Sequence, residues 1–328
     1  MAQFEEAVAT TLQDQSGETA DAVLGHNPLL ARLESKGLIR KFEGGYEIRK
    51  TILFNDTNIG GFYSGMDSFN LTPAQDVDAF RYTIKQAYEP FIISGRDKRA
   101  NVGEERLSNL VADKMKATRA RLKNLVSVSL KGDGTGYSGK EFDGIKKMAA
   151  ASNTAGSYGG LTRSTHWYAQ NQAVTGVTFS AANIQAELTG AIMDGQRGDE
   201  GYDFGFLYPT VWKYLHQSMT AIQRIESTEK GKAGFKHKSL HYDGVDFFFD
   251  GGYGGSGGSG TSAAVVEANS ARLFNTDYIS FDVDSQSYFT PLAPTMDRPV
   301  DQDGYYTVII VEGNLCSEAP NFQKYVGT

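Results

Sequence analysis

Two segments between residues 46 and 94 alternate between apolar and polar positions. In the first segment, the apolar residues that share a face are Tyr46, Ile48, Ile52 and Phe54. In the second segment, they are Phe80, Tyr82 and Ile84. A period of two predicts β-strands, and the Gly, Asn, Asp and Pro residues between the segments predict turns rather than a second packing layer. The pattern therefore predicts a long β-hairpin.

The predicted hairpin has an apolar face and no core of its own. An isolated two-stranded hairpin is only marginally stable in water, and an arm of about ten residues extends roughly 33 Å. We therefore expect a neighbouring subunit to cover this face. This interpretation points to assembly of the chain with copies of itself.

The first 26 residues are polar and acidic, and they are predicted to form an arm. Asn27 followed by Pro28 is a typical helix start, and Gly37 is a typical helix end. The apolar residues on one face of this helix are Leu29, Leu30 and Leu33. The helix either docks at the edge of its own domain or crosses onto a neighbour. With the hairpin, it supplies the expected inter-subunit contacts, which are Leu29, Leu33, Phe54, Phe80, Tyr82 and Ile84.

The strongest helical pattern runs from residue 103 to about residue 130 and is called the spine helix below. Apolar residues recur at intervals of three and four, and Glu104 and Glu105 occupy the first turn, where the helix dipole favours acidic side chains. The second half carries a cluster of cations, namely Lys114, Lys116, Arg119, Arg121 and Lys123. This cluster is either a solvated face near a helix C-terminus or a basic stripe that faces nucleic acid or the acidic surface of a partner.

The remainder of the chain mixes helical and strand patterns. Helices are predicted from Ser180 and from Thr210, and two short strands flank the turn at Asp243 and Gly244. The Gly/Ser tract at 251–260 predicts a loop. Further strands are predicted at 278–283 and 305–311. Because these elements follow no regular βαβ order, the sequence favours an α+β fold.

Length and composition fit a globular protein. The chain has 328 residues, of which 40% are hydrophobic and 22% are charged, and these are ordinary globular values. A net charge of −7 argues against a protein that grips nucleic acid through its overall charge, although not against one that encloses it. Residues 1–25 lack a signal-peptide core, no apolar run is long enough to span a bilayer, and the single Cys316 suits a reducing cytoplasm. We expect a soluble intracellular protein.

Several strings match chemical motifs without the context that the chemistry needs. Residues 134–141 fit the phosphate-loop spacing, but Glu141 stands where the motif needs Ser or Thr, and a helix rather than a strand precedes the string. His237 and His241 would lie roughly 13 Å apart on a strand, too far to share a metal. The 301–304 turn lacks the terminal carboxylates of a calcium loop. No catalytic, cofactor-binding or metal-binding residues are therefore predicted.

The order of these elements resembles the HK97-type major capsid proteins of tailed bacteriophages, and the resemblance covers nearly the whole chain. Four stretches carry it, namely 88–101 (YEPFIISGRDKRAN), 130–136 (LKGDGTG), 159–165 (GGLTRST) and 313–316 (GNLC). The resemblance implies an HK97-like fold with an N-terminal arm, an extended hairpin called the E-loop, the spine helix, a peripheral P domain and an axial A domain. The implied boundaries are 1–40 for the arm, 41–92 for the E-loop, 93–149 for the P domain with the spine helix, 150–264 for the A domain, 265–305 for P-domain strands and 306–328 for the C-terminal strand of the A domain.

The resemblance also implies a function. Such a protein assembles with itself as hexamers and pentamers into the icosahedral head that encloses double-stranded phage DNA, with weak non-specific contact to the DNA. Its other partners would be the portal and scaffolding or decoration proteins, with no membrane and no cofactor. It would be located in the virion after assembly in the host cytoplasm.

Two alternatives to a phage capsid subunit remain. An encapsulin-like nanocompartment shell shares the fold but encloses cargo enzymes, and a nucleotide-binding enzyme would depend on Lys140. Some relatives lock their shells through a Lys–Asn crosslink from the E-loop. Lys50 and Lys85 are the lysines available for such a bond, but no motif marks a partner asparagine, so the crosslink is not inferred.

Overall fold

The computed structural model describes residues 28–54, 62–68, 76–100, 104–219, 239–249, 269–292 and 303–328. The helices are α1 (Pro28–Ser35), α2 (Gly95–Ala100), α3 (Glu104–Lys131), α4 (Ile145–Met148), α5 (Ile184–Gly195) and α6 (Pro209–Ser218), and Gly136–Gly139 forms an irregular turn with positive φ at Tyr137 and Ser138. The strands are β1 (Ile39–Phe42), β2 (Glu47–Leu53), β3 (Val77–Thr83), β4 (Lys85–Ser94), β5 (Ser157–Tyr158), β6 (Leu161–Thr162), β7 (Gln172–Thr175), β8 (Phe204–Leu207), β9 (Ser239–Tyr242), β10 (Val245–Phe249), β11 (Ser270–Phe274), β12 (Ile279–Pro291), β13 (Gly304–Ser317) and β14 (Lys324–Gly327). The α+β class is confirmed.

A four-stranded sheet and the spine helix form the first part of the core. The strand order is β1-β12-β13-β4, with β1 parallel to β12 and the other pairs antiparallel. Helix α3 begins and ends within one residue of the predicted spine helix. Its buried residues Met115, Leu122 and Val126 belong to the same core cluster as Phe91 and Ile93 of β4. The 3.6-residue period therefore identified both the helix and its buried face.

A six-stranded sheet in the order β7-β14-β11-β8-β10-β9 supports a second core with α5 and α6. The predicted hairpin at Asp243 and Gly244 is confirmed, and both residues have a positive φ, 51° and 82°, as a tight two-residue turn requires. Helix α6 begins at Pro209, not at a Thr210 cap as predicted, because the fixed φ of proline suits the first helical position. The 251–260 tract lies outside the described residues.

Strand pairing departs from two predicted domain boundaries. Strand β11 lies in the six-stranded sheet, although 265–305 was assigned to P-domain strands, and all five of its residues are buried as in a central strand. Strand β13 continues in the four-stranded sheet to Ser317, across the predicted boundary at residue 306. It continues because alternate residues such as Thr307, Ile309 and Val311 still face the core.

Helix α1 packs into the core of its own subunit. Leu29, Leu30 and Leu33 are buried, so of the two alternatives the structure shows docking on the helix's own domain. Arg32 contacts Asp203 at 3.3 Å, and the helix also lies against β12, which ties it to both sheets. The predicted arm of residues 1–40 therefore includes a docked portion, and residues 1–27 lie outside the described part of the chain. Within the described residues, every helix is too short or too polar to cross a membrane.

Candidate assembly surface

The predicted hairpin is formed by β2 and β3, which pair antiparallel with Lys50 opposite Phe80. Burial alternates along both strands, as the period of two predicts. The buried residues are Ile48, Lys50 and Ile52 on β2 and Phe80 and Tyr82 on β3. The hairpin thus has an inner face against the protein and an outer face toward solvent.

The inner face is covered by the subunit's own residues. The rings of Phe80 and Tyr82 lie 6.2 Å and 5.6 Å from the ring of Tyr158 between centroids. The backbone N–H of Arg81 donates to the Gly159 carbonyl oxygen at 2.8 Å. A Cβ on Gly159 would lie 2.7 Å from the Phe80 ring, and its φ of +55° favours glycine, so this position admits the hairpin only without a side chain.

The covered inner face overturns part of the expectation for subunit contacts. The expected contact residues that the structure instead buries inside the subunit are Leu29, Leu33, Phe80 and Tyr82. A neighbour cannot cover these four side chains, because each of them is at most 3% exposed in the single subunit. For Phe80 and Tyr82, the physical reason is that Tyr158, Gly159 and the end of β13 supply the second layer that the hairpin lacks in its local sequence. For Leu29 and Leu33, it is the docking of α1 in the core of its own subunit.

The two remaining expected contacts, Phe54 and Ile84, are only partly buried. The Phe54 ring stacks on the Tyr168 ring with 4.2 Å between centroids. Tyr168 in turn donates a hydrogen bond of 2.6 Å to Asp78 on β3. The hydrogen bond from Tyr168 lowers the pKa of Asp78 below its ordinary value, because its effect is larger than the opposing effect of burial. Phe54 and Ile84 therefore keep part of their surface exposed in the single subunit.

The E-loop lysines have partners within the subunit. Lys50 forms an ion pair of 2.6 Å with Asp282 of β12, and both side chains are less than a tenth exposed. Lys85 donates to the carbonyl oxygen of Gly139. Neither contact could be read from the sequence, because each partner is more than fifty residues away.

The outer face and tip of the hairpin expose large apolar side chains. We call this the hairpin outer surface, and its residues are Leu53, Phe62, Tyr63, Met66 and Val77. The tip is shaped by Gly65 with a φ of +60° and by a hydrogen bond of 2.9 Å from the Ser64 N–H to Asp67. Exposed apolar side chains in such a group are typical of a protein interaction site.

A second exposed apolar surface lies on the four-stranded sheet. Tyr88 and Ile92 of β4 and Tyr306 of β13 are exposed, and Tyr306 is directly opposite Ile92 in the strand register. The residues on either side of Ile92, Phe91 and Ile93, are buried. We call the exposed residues Tyr88, Ile92 and Tyr306 the sheet surface.

The strings with chemical resemblance have structural roles in the described residues. Residues 134–141 follow α3 without an intervening strand, and Asp133 accepts hydrogen bonds from the Thr135 hydroxyl and N–H at 2.6 Å and 3.1 Å. His241 contacts Asp246 at 2.8 Å, whereas His237 lies outside the described residues. Across the described ranges, no group of three or more His, Cys, Asp or Glu side chains is placed to hold a metal ion.

Three solved structures similar to this chain are capsids. The cyanophage A-1(L) capsid asymmetric unit matches with a TM-score of 0.59 and 13% identity, over 90% of this chain and 92% of that chain. The capsid of a native GTA particle matches with a TM-score of 0.56 and 9% identity, over 89% and 88%. The capsid of Myoviridae phage XM1 matches with a TM-score of 0.54 and 11% identity, over 90% and 91%. No protein-family model matches the chain, and no curated protein matches its sequence. At these identities the likeness is one of fold.

Proposed function

The chain has the HK97-type capsid fold, and we propose that it is the major subunit of an icosahedral phage head. In this proposal it assembles with itself as hexamers and pentamers around double-stranded DNA. The observation that carries the proposal is the mutual coverage with the cyanophage capsid, 90% of this chain and 92% of that chain. A fold that matches over about nine-tenths of both chains supports a similar use of the subunit.

The two exposed apolar surfaces support self-assembly. The hairpin outer surface and the sheet surface lie on different parts of one subunit, so contact between them joins two copies head to tail. Repetition of one such heterologous contact closes a ring when the rotation between copies allows it. Phe54 and Ile84 are only partly buried and would add to the contact. This arrangement accounts for apolar side chains that a lone soluble subunit would leave in water.

The charge of the chain supports a container more than a DNA-binding protein. A net charge of −7 gives little overall attraction to phosphate, so the DNA would be enclosed with weak non-specific contact. The other proposed partners are the portal and scaffolding or decoration proteins. The proposed location is the virion, after assembly in the host cytoplasm, and the proposed role is structural rather than enzymatic.

The test is assembly of the purified full-length protein. We expect negative-stain electron microscopy to show closed shells, capsomers or tubes, and light scattering to give masses far above the subunit. A stable monomer at high concentration would contradict the proposal. Nuclease-protected double-stranded DNA in particles from infected cells would distinguish a phage head from an encapsulin-like compartment, which would hold protein cargo.

A further inference from the structure

Four consecutive backbone carbonyl groups accept hydrogen bonds from buried side chains at the point where the chain leaves α4. We call residues 147–150 the crossover, because the chain passes here from the first core toward the six-stranded sheet. A helix leaves its last carbonyl groups without partners of its own, so side chains from elsewhere supply them here. The bonds run from Arg163 Nη2 to the oxygens of Lys147 (2.6 Å) and Met148 (3.2 Å), from Arg272 Nε to that of Ala149 (3.1 Å) and from Asn171 Nδ2 to that of Ala150 (2.8 Å).

The three donor side chains are almost completely buried. Arg163, Asn171 and Arg272 are each only 1% or 2% exposed. Arg272 lies in the middle of β11, whose five residues are all buried, where an apolar side chain would be usual. Burying a charge costs free energy unless it is well hydrogen-bonded. Buried polar groups at such positions favour one defined geometry more than they add stability.

The donors and the acceptors belong to different cores. The acceptors follow α4, whose buried residues Ile145 and Met148 are part of the first core. Arg272 belongs to the six-stranded sheet, and its guanidinium lies 5.1 Å from the ring centroid of Tyr325, its register partner on β14. Asn171 directly precedes β7 of the same sheet and accepts a hydrogen bond of 2.9 Å from Arg163. The network therefore connects the two cores through directional bonds.

The other passages between the two sheets are also joined by buried hydrogen bonds. In the described residues the chain passes between the sheets three times, at the crossover, between β11 and β12, and between β13 and β14. The backbone N–H of Asn275 donates to Gln323 Oε1 at 3.0 Å, and Gln323 Nε2 donates to the Asn275 carbonyl oxygen at 3.2 Å. The rings of Tyr278 and Phe322 stack beside them, with 4.8 Å between centroids. The second and third passages are thus held together as a pair.

The network also reaches the seat of the hairpin. The guanidinium of Arg163 lies 5.5 Å from the ring centroid of Tyr158. Tyr158 is the residue on which Phe80 and Tyr82 of the hairpin pack. The position of the hairpin relative to the six-stranded sheet therefore depends on the side chain of Arg163.

We propose that Arg163, Asn171 and Arg272 are positioning residues that fix the angle between the two sheets. Apolar contacts between the cores are non-directional and tolerate a range of angles. Hydrogen bonds weaken steeply when their geometry is distorted, so this network selects one angle. The consequence for assembly rests on the proposed function, because a head-to-tail contact closes a ring only at the right rotation between copies. The angle itself is a property of the single subunit.

Distances between two spin labels in the full-length, unassembled subunit test the angle. The labels are attached at Ile92→Cys on β4 and Met193→Cys on α5, where the native residues are 56% and 68% exposed, whereas Cys316 is fully buried and stays unlabelled. We expect one narrow distance distribution when the rest of the chain is native. Arg272→Met should broaden it roughly twofold or more, because the directional bond to the crossover is lost. An equally broad distribution without that substitution would overturn the proposal.

The matched control removes an arginine outside the network. Arg99→Met breaks an exposed ion pair with Asp303, in which the arginine side chain is 68% exposed, and should leave the distance distribution unchanged. If Arg272→Met does not fold, Asn171→Ala takes its place, because it removes the bond to Ala150 without removing a buried charge. A folded variant of either kind that keeps the native distribution would show that the network does not set the angle.

Electron microscopy of the unlabelled proteins tests the consequence for assembly. We expect Arg272→Met to give open or irregular assemblies, and Arg99→Met to give the same assemblies as the native chain. If the native chain forms no assemblies, the proposed function fails, while the distance measurement still decides whether the network sets the angle. Regular shells with broadened distances, or irregular assemblies with unchanged distances, would overturn the link between the angle and ring closure.

Discussion

The Tyr82 hydroxyl donates a hydrogen bond of 2.6 Å to the carbonyl oxygen of Ser317, which is 235 residues away in sequence. This bond connects β3 of the hairpin to the end of β13. Burial raises the pKa of Tyr82 well above its ordinary value, so the hydroxyl keeps its proton and remains a donor. The inner face of the hairpin is therefore part of the subunit fold, and the outer surface is what remains for assembly.

We expect substitutions on the inner face to destabilise the subunit. Phe80→Ala should lower the free energy of unfolding by about 3–5 kcal/mol, because it leaves a cavity against Tyr158. Tyr82→Phe should cost about 1–3 kcal/mol, because the buried Ser317 carbonyl loses its donor. Chemical denaturation of unassembled protein measures both. The matched control is Leu53→Ala on the outer surface, which should change stability by less than about 0.5 kcal/mol. A Phe80→Ala protein as stable as the control would place the ring outside the core.

We expect substitutions on the hairpin outer surface to have the opposite effect. Phe62→Ser with Met66→Ser should leave the thermal melt of the subunit unchanged, since both side chains are fully exposed in it. If a neighbour buries them, each is worth about 1.5–3 kcal/mol per contact, and the loss recurs at every contact in a shell. Electron microscopy of the assembly reaction should then show few or no closed shells. Normal shells from this variant would remove the hairpin tip from the contact.

Sequence periodicity identified the elements because it reports which residues share a face. It found both hairpin strands and the spine helix, and it separated Phe80 and Tyr82 from the polar Arg81 between them. It could not find what covers that face, since Tyr158 and Ser317 are distant in sequence. The one local signal was the Gly159-Gly160 pair, where a missing side chain marks a close approach of another part of the chain.

Strand membership was harder to predict than strand position. The pattern at 305–311 marks a strand but not its length, and β13 continues to Ser317 because its partners β12 and β4 continue beside it. The partner of Lys50 could not be predicted from the sequence either. In the sequence, Lys50 is one polar position in an alternating strand, and only the fold shows that it faces Asp282.

We expect the buried pair of Lys50 and Asp282 to behave as a coupled unit. Lys50→Met should destabilise the subunit by about 3–5 kcal/mol, because Asp282 would remain buried without its partner charge. Adding Asp282→Leu should recover most of that loss, since an apolar pair of similar volume is often as stable as a buried ion pair. A double-mutant cycle by chemical denaturation measures the coupling. Additive effects of the two substitutions would show that the ion pair does not stabilise the docked hairpin.

We expect the docking of α1 to weaken in acid through Asp203. This carboxylate is mostly buried, which by itself raises its pKa, but hydrogen bonds from Thr276 and Lys36 outweigh burial and lower the pKa below the ordinary value. A group whose folded pKa is lowered binds more protons in the unfolded state, so its stabilisation is present above its unfolded pKa, near 4, and is lost as pH falls through the folded value.

Asp203→Asn should therefore cost about 2 kcal/mol at pH 7, where hydrogen bonds to the charged carboxylate are lost. The variant should also show a smaller fall in unfolding free energy than the wild type below about pH 4, because the titrating group is absent. Chemical denaturation at several pH values measures both effects. Asp199→Asn is the matched control, since that side chain is exposed nearby and should leave the profile unchanged. If Asp203→Asn keeps the wild-type pH profile, another carboxylate holds α1 against the six-stranded sheet.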